Sequence, residues 1–294
     1  MYDDVLIPTD GTEGTLSAVR HGINIATKSG ADLHVLYVVD KSGIDLLSSE
    51  STKEDIMEVT DEEGLDAVKQ VTDIVSDRKP ELETHTSILK GHPAETIVDY
   101  VADNGIDLVS MGTHGRTGWR RYLIGSVTNE VVRTSTAPIL SARLPVEKMN
   151  LPPYGFSYRD ILVATDGSEK AREAARHGAK IAERFDASLH LLYVIDVSQY
   201  NKGVTLELAL QELENEADML LDEEKRFIEN EYDVEVETVL RQGNPHESIV
   251  NYSEENMIDL LTMGTHGRTG IHRYLLGSVT EKVVRTSSIP VLTV

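Results

Sequence analysis

The stretch DVLIPTDGTE (residues 4–13) sets an apolar run, Val5 to Pro8, directly against Thr-Asp-Gly. A short run of bulky apolar residues without polar alternation reads as a strand covered on both faces, as in a parallel sheet. Asp followed by Gly is turn chemistry, so the strand ends in a tight bend. Leu16 to Ala26 then carries apolar residues at helical spacing, and Leu33 to Val39 is a second apolar, β-branched strand. Ile56 to Val75 reads as a long acidic amphipathic helix, and Glu81 to Leu89 as a strand with polar alternation. Ala94 to Ala102 reads as a helix opened by Pro93, a residue favoured in the first turn. Leu108 to Met111 is a strand, Val127 to Thr134 a helix and Pro138 to Ala142 the last strand. This alternation predicts an α/β fold on a mainly parallel sheet.

The opening stretch returns as DILVATDGSE (160–169). DLHVLYVVD (32–40) returns as SLHLLYVID (188–196), and KGHPAETIVDY (90–100) as QGNPHESIVNY (242–252). The longest match pairs MGTHGRTGWRRYLIGSVTNEVVRTS (111–135) with MGTHGRTGIHRYLLGSVTEKVVRTS (263–287). The offset is 156 residues early and 152 late, so copy two lacks four residues between Asp196 and Gln242. Loops absorb such changes best. A period this long is a duplicated domain, not a solenoid repeat. A length of 294 residues agrees with two domains, each large enough for its own core. The boundary falls in LPVEKMNLPPYGFS (144–157), whose three prolines and one glycine make a short, semi-stiff linker between domains 1–143 and 158–294.

The chain has no cysteine, which excludes disulfides, thiol chemistry and cysteine-based zinc sites. No apolar run reaches the roughly 20 residues of a membrane span. Residues 1–4 have neither the basic segment nor the apolar core of a signal peptide, so a cytoplasmic protein is expected. Asp and Glu total 50 against 28 Lys and Arg, a formal net charge of −22. A field of that sign repels nucleic acid and anionic membranes, and neither is expected as a partner. It suits a halophilic cytosol, where screening tames self-repulsion; an ordinary acidic protein is the alternative.

Against that charge stands a basic, glycine-rich island. The spacing Gly112-x2-Gly115-x9-Gly125-Ser126 is repeated as Gly264-x2-Gly267-x9-Gly277-Ser278. The first glycine follows a buried strand, and Gly125-Ser126 precedes a helix with Ser126 a natural N-cap. Glycines let a ligand approach the main chain, and the first N–H groups of a helix favour an anion. Arg116, Arg120 and Arg121, with Arg268, His272 and Arg273 in copy two, add charge suited to phosphate. Phosphate binding is the economical reading; a crossover loop with solvated arginines is the alternative. Asp10 and Asp166 stand just past the first strand of each copy, where open α/β sheets bind ligands. A carboxylate there can accept from ribose hydroxyls or help hold a divalent metal such as Mg2+, or serve only as a turn residue. The Walker A motif, the dinucleotide fingerprint and the Gly-x-Ser-x-Gly elbow are absent.

Taken together, these residues resemble the ATP-binding branch of the universal stress protein family, whose Gly-x2-Gly-x9-Gly-Ser/Thr motif both copies match in full. The first-strand Asp and the Val-Asp ending of the second strand match as well, and the resemblance covers nearly the whole chain. It implies two Rossmann-like domains of the adenine nucleotide α-hydrolase type, each a five-stranded parallel sheet in the order 3-2-1-4-5 with helices on both faces. It implies ATP or another adenine nucleotide as ligand, one per domain. Asp10 and Asp166 should meet the ribose and adenine end, Val38 and Val194 the adenine, and Gly112 and Gly264 the ribose. Gly115, Gly125, Ser126 and Val127 should surround the phosphates, as should Gly267, Gly277, Ser278 and Val279. Arg116 and Arg268 are added for the outer phosphates from charge alone. Pro8 and Thr9, and Thr165 in copy two, complete the expected site. The exchange of Pro8 for Ala164 and of Trp119-Arg120 for Ile271-His272 puts equal affinity of the two sites in doubt. The family dimerises through its last strand, which implies an internal pseudo-dimer near Ile139 to Ser141 and Val291 to Thr293, with a homodimer open.

His21 and His177, and His34 and His190, are read as packing residues, since no close His-x3-His pair supports a metal. His114 and His266 sit inside the phosphate loop, as contacts, acid–base groups or caps. The acidic helices around Glu54 to Asp66 and Glu207 to Glu231 read as solvated faces. Three functions are consistent with these residues. One is a nucleotide-binding regulatory or protective protein of the stress response. Another is a slow ATPase or phosphotransferase using Asp10 and a divalent metal. The third is a structural or chaperone-like module with unused sites.

Overall fold

The structure, a computed structural model, describes residues 2–42, 50–113, 124–143, 155–197, 204–267 and 276–294, with backbone alone at 50–55, 58 and 204–209. The chain divides into two compact units, Met1–Phe156 and Ser157–Val294. Unit one runs β1 (Asp4–Pro8), α1 (Leu16–Ser29), β2 (Asp32–Asp40), α2 (Glu50–Arg78), β3 (Thr84–Gly91), α3 (Pro93–Asn104), β4 (Leu108–Gly112), α4 (Ser126–Thr134) and β5 (Ile139–Ala142). Unit two repeats it as β6 (Asp160–Thr165), α5 (Glu169–Phe185), β7 (Ser188–Ile195), α6 (Val204–Glu231), β8 (Val236–Gln242), α7 (Pro245–Glu255), β9 (Leu260–Met263), α8 (Ser278–Thr286) and β10 (Val291–Thr293). Within each unit every strand pair is parallel, in the orders β3-β2-β1-β4-β5 and β8-β7-β6-β9-β10. The fold class is therefore α/β with a doubly covered parallel sheet.

The central strands are apolar because both faces are covered. Val5, Leu6 and Ile7 of β1 and Ile161, Leu162 and Val163 of β6 are fully buried. On β2 successive side chains alternate: Tyr37 lies against α2 at Gly64, while His34 bonds Tyr100 of α3. Leu36 and Val38 therefore share the α3 face with His34. The edge strand β3 is half-exposed, as its polar alternation predicts.

Sequence and structure differ at a few boundaries. Helix α2 extends beyond the expected Ile56–Val75 at both ends, and β3 begins at Thr84 rather than Glu81. A turn closed by Leu82 N–H donating to the Lys79 carbonyl occupies the intervening residues. The solvated reading of the second acidic helix fails at one position. Ala217, Leu221, Glu224 and Ile228 form the inward stripe of α6, so Glu224 is buried where the same spacing on α2 places Val71.

Three of the four histidines read as packing residues are buried. His34 Nδ1 and the Tyr100 hydroxyl lie 3.0 Å apart, and Nε2 lies 3.0 Å from Asp4 Oδ1. His190 repeats both contacts, with Tyr252 at 2.8 Å and Asp160 at 3.3 Å. His21 is buried edge-on against Phe156, with ring centroids 4.9 Å apart.

Candidate functional site

Each sheet reverses its strand order beside its first strand, and there the loop Thr-Asp-Gly builds itself from local hydrogen bonds. Gly11 N–H donates to Thr9 Oγ1, and Thr12 donates to Asp10 Oδ1 through its N–H at 3.0 Å and through its hydroxyl. Unit two repeats this with Gly167 on Thr165 and Ser168 on Asp166. The glycines take φ +74° and +76°, which the bend requires. Asp10 and Asp166 thus give Oδ1 to the turn, as the turn reading predicts, and Asp166 lines the cleft of its unit.

In unit two the loop borders a cavity of about 320 Å³. Of the expected site residues, Thr165, Asp166, Val194, Gly264, Gly267, Gly277, Ser278 and Val279 all line it. The structure also places Leu192, Ile249 and Met263 there, which sequence reasoning missed. Leu192 lies two residues before Val194 on the same face of β7, and that period was the available signal. The cavity accordingly has an apolar lining from these residues, and the start of α8 borders it as well.

That helix start has a glycine cap. The expectation that Ser126 caps α4 needs correction: Ser126 is the first helical residue, and Gly125 is the extended N-cap at φ −59°, ψ 148°, with no side chain of its own to accept from the first turn. Gly277 and Ser278 stand likewise at α8. The N–H groups of Ser278, Val279 and Thr280 therefore have no acceptor within the helix, and the helix dipole adds positive potential beside the cavity. A brace fixes this end. Thr280 Oγ1 donates to the Gly264 carbonyl at 2.8 Å and Gly277 N–H donates to Thr265 O at 2.8 Å. Thr128 and Gly125 repeat it on Gly112 and Thr113, each at 2.7 Å.

The glycines of the motif have different physical causes. A Cβ at Gly112 would lie 2.6 Å from Gly14 O, and one at Gly264 would lie 3.0 Å from the Lys170 carbonyl carbon. The chain's own backbone, entering α1 or α5, demands glycine at both. A Cβ at Gly267 would lie 2.5 Å from Asp166 Oδ2. At Gly125 the nearest atom among the described residues is 3.4 Å away, an ordinary contact. The described part of the fold does not demand glycine there.

Unit one brings Pro8, Thr9, Asp10, Val38, Gly112, Gly125, Ser126 and Val127 to the equivalent elements. Gly115, Arg116 and Arg268, with His114 and the remaining loop cations, lie outside the described residues. The exchange of Pro8 for Ala164 has a visible effect. Thr9 N–H donates to Leu36 O, so the preceding backbone position faces β4, where Pro8 has no N–H to offer. The β1–β4 ladder ends at Leu6↔Val109, whereas β6–β9 continues to Ala164↔Met263. The paired ladder of unit one is therefore two residues shorter at this end.

Glu224 is tied to Thr165 of the cavity lining. Its Oε1 accepts from the Thr165 hydroxyl at 3.1 Å, and its Oε2 is buried without a partner. Burial raises its pKa above the ordinary 4.5, against the Thr165 bond and Arg172, which lower it. Between 4.5 and the raised folded value, the folded protein holds a proton that the unfolded chain has released. Stability falls there as pH rises. Glu224→Gln keeps the Thr165 bond and removes the titration. From pH 4 to pH 8 the variant should gain stability relative to the parent, because it has no proton to lose. Chemical unfolding at the two pH values checks this.

Among the described residues, no group of three metal-ligating side chains forms around Asp10 or Asp166, and no helix is long and apolar enough to cross a membrane. The universal stress protein family model matches residues 1–143 and again 157–294. A universal stress protein of Methanocaldococcus jannaschii is 38% identical over 145 residues, 49% of this chain and 84% of the relative. One from Synechocystis is 26% identical and covers 99% of both chains, so the tandem arrangement is shared. The solved universal stress protein of Archaeoglobus fulgidus has the same fold, with a TM-score of 0.71 at 23% identity over 99% of this chain and 97% of its own. With its family motif written twice and a family match on each half, the chain belongs to the universal stress protein family as a tandem of two such domains.

Proposed function

We propose that each domain binds one adenine nucleotide, ATP foremost, and that occupancy is the regulatory signal of a protein acting in the stress response. The observation that carries this reading is the mixed lining of the second domain's cavity. It has an apolar wall of Leu192, Val194, Ile249 and Met263, a carboxylate at Asp166 and a glycine-capped helix start at Ser278. An adenine ring fits the wall, ribose hydroxyls the carboxylate, and phosphates the N–H groups. In place of that ribose contact, the Asp166 carboxylate with the phosphates would hold Mg2+, which takes one or two carboxylates alongside substrate oxygens. Binding energy that differs between two conformations of the domain would then report nucleotide level as a population shift.

Calorimetric titration of nucleotide-free protein with Mg-ATP and with AMP, beside a hydrolysis assay, tests the proposal. Two nucleotides per chain with turnover at background is the expected result. Pro8 and Ala164 predict two unequal affinities. No binding of either nucleotide would overturn the reading, and rapid hydrolysis would replace regulation by catalysis.

A further inference from the structure

A second cluster lies at the opposite, N-terminal end of the first domain's strands. Asp32 opens β2, and Glu83 precedes β3, whose second residue is His85. The strands pair Leu33↔Thr84 and His34↔His85. Side chains two apart share a face, so the triplets Asp32-Leu33-His34 and Glu83-Thr84-His85 put both carboxylates and both imidazoles on one surface. His85 Nε2 lies 3.6 Å from Asp32 Oδ2 and 3.8 Å from Glu83 Oε1, and all three atoms lie within 4.8 Å of one another.

Those separations are long for hydrogen bonds. They are close to what one ion would need: donors about 2.0–2.2 Å from a tetrahedral centre stand about 3.4 Å apart. The remaining gap closes by rotation of Glu83, whose side chain is 70% exposed. His34 is held through both ring nitrogens by Tyr100 and Asp4, and its ring packs 4.9 Å from that of His85. His34 therefore positions the His85 ring and leaves its Nε2 toward the carboxylates. We infer that Asp32, Glu83 and His85 form a binding site for a divalent transition ion of the zinc class, with water completing the coordination. One imidazole with two carboxylates suits zinc or cobalt(II), whereas magnesium and calcium take oxygen donors throughout.

The second domain supplies a control. At the matching positions it has Ser188, Glu235 and Glu237, so His190 faces Glu237 in register and the donor set is not built. The site is independent of nucleotide binding, since it sits at the other end of the sheet.

The test uses the full chain without a histidine tag, dialysed against chelator and titrated with Zn2+ by calorimetry and with Co2+ by visible absorption. One ion per chain with the intense absorption of tetrahedral Co2+ is expected. His85→Ala and Asp32→Ser should each weaken Zn2+ at least tenfold while the thermal melt of the metal-free protein stays unchanged, because both side chains are surface groups on strand ends. The double change Ser188→Asp with Glu237→His should raise the stoichiometry from one to two. Absence of binding, or Zn2+ affinity unaltered by His85→Ala, overturns the site.

Discussion

Gly125→Val is expected to remove nucleotide binding from the first domain and leave the domain folded. Among the described residues a Cβ at Gly125 meets nothing nearer than Thr113 O at 3.4 Å, and the backbone angles there are open to any residue. The structural cost is that of a poor N-cap, about 1 kcal/mol. An incoming phosphate, by contrast, must come against the first turn of α4, and two methyl groups at its N-cap block that approach. Affinity should fall at least 100-fold, about 2.7 kcal/mol, and the calorimetric stoichiometry should drop from two to one. Gly112→Val is the counter-experiment. Its Cβ would press within 2.6 Å of Gly14 O, a backbone atom. Such overpacking costs about 3 kcal/mol, and the domain should melt early whether or not nucleotide is present. If both variants lose binding and stability together, the helix start is not a phosphate site and the motif glycines serve the fold alone.

That contrast marks what the sequence could and could not say about the glycine motif. Spacing showed that small residues recur at Gly112, Gly125 and their partners. It could not separate a glycine demanded by neighbouring backbone from one that is not, because the Gly14–Gly112 contact joins segments about 100 residues apart. The covered parallel sheet was legible for a simpler reason: runs such as Val5 to Ile7 carry no polar alternation, as strands buried on both faces do. The order of the strands within it came only with the family resemblance. The apolar wall of the cavity stayed hidden, since Leu192 and Ile249 are indistinguishable from core residues until an empty volume is seen beside them. Glu224 was hidden by company: one inward carboxylate on a helix rich in outward ones carries no compositional mark. The metal triad was equally invisible, because neither Asp32 nor His85 is near the other in sequence and only the register of β2 on β3 brings them together.

The other large effect concerns acid. His21 on α1 is buried against Phe156, and burial pushes its pKa down from 6.5 to about 3. Its counterpart His177 on α5 is only half-buried. Below pH 6.5 the unfolded chain gains a proton at this residue that the folded domain refuses until about pH 3. Stability therefore falls as pH drops through that window, at about 1.4 kcal/mol per pH unit. By pH 5 the loss from this residue is about 2 kcal/mol, and across the whole window it is about 5 kcal/mol, comparable with the total stability of a small domain. His21→Gln keeps a polar side chain and cannot titrate. Whatever it costs at pH 7, its unfolding free energy should change between pH 7 and pH 5 by about 2 kcal/mol less than that of the parent. The difference of the two slopes isolates His21 from the carboxylates, which titrate in both proteins. Equal slopes would mean that His21 takes up its proton in the folded state at ordinary pH. The packing of α1 against Phe156 would then have to open in mild acid without unfolding the domain.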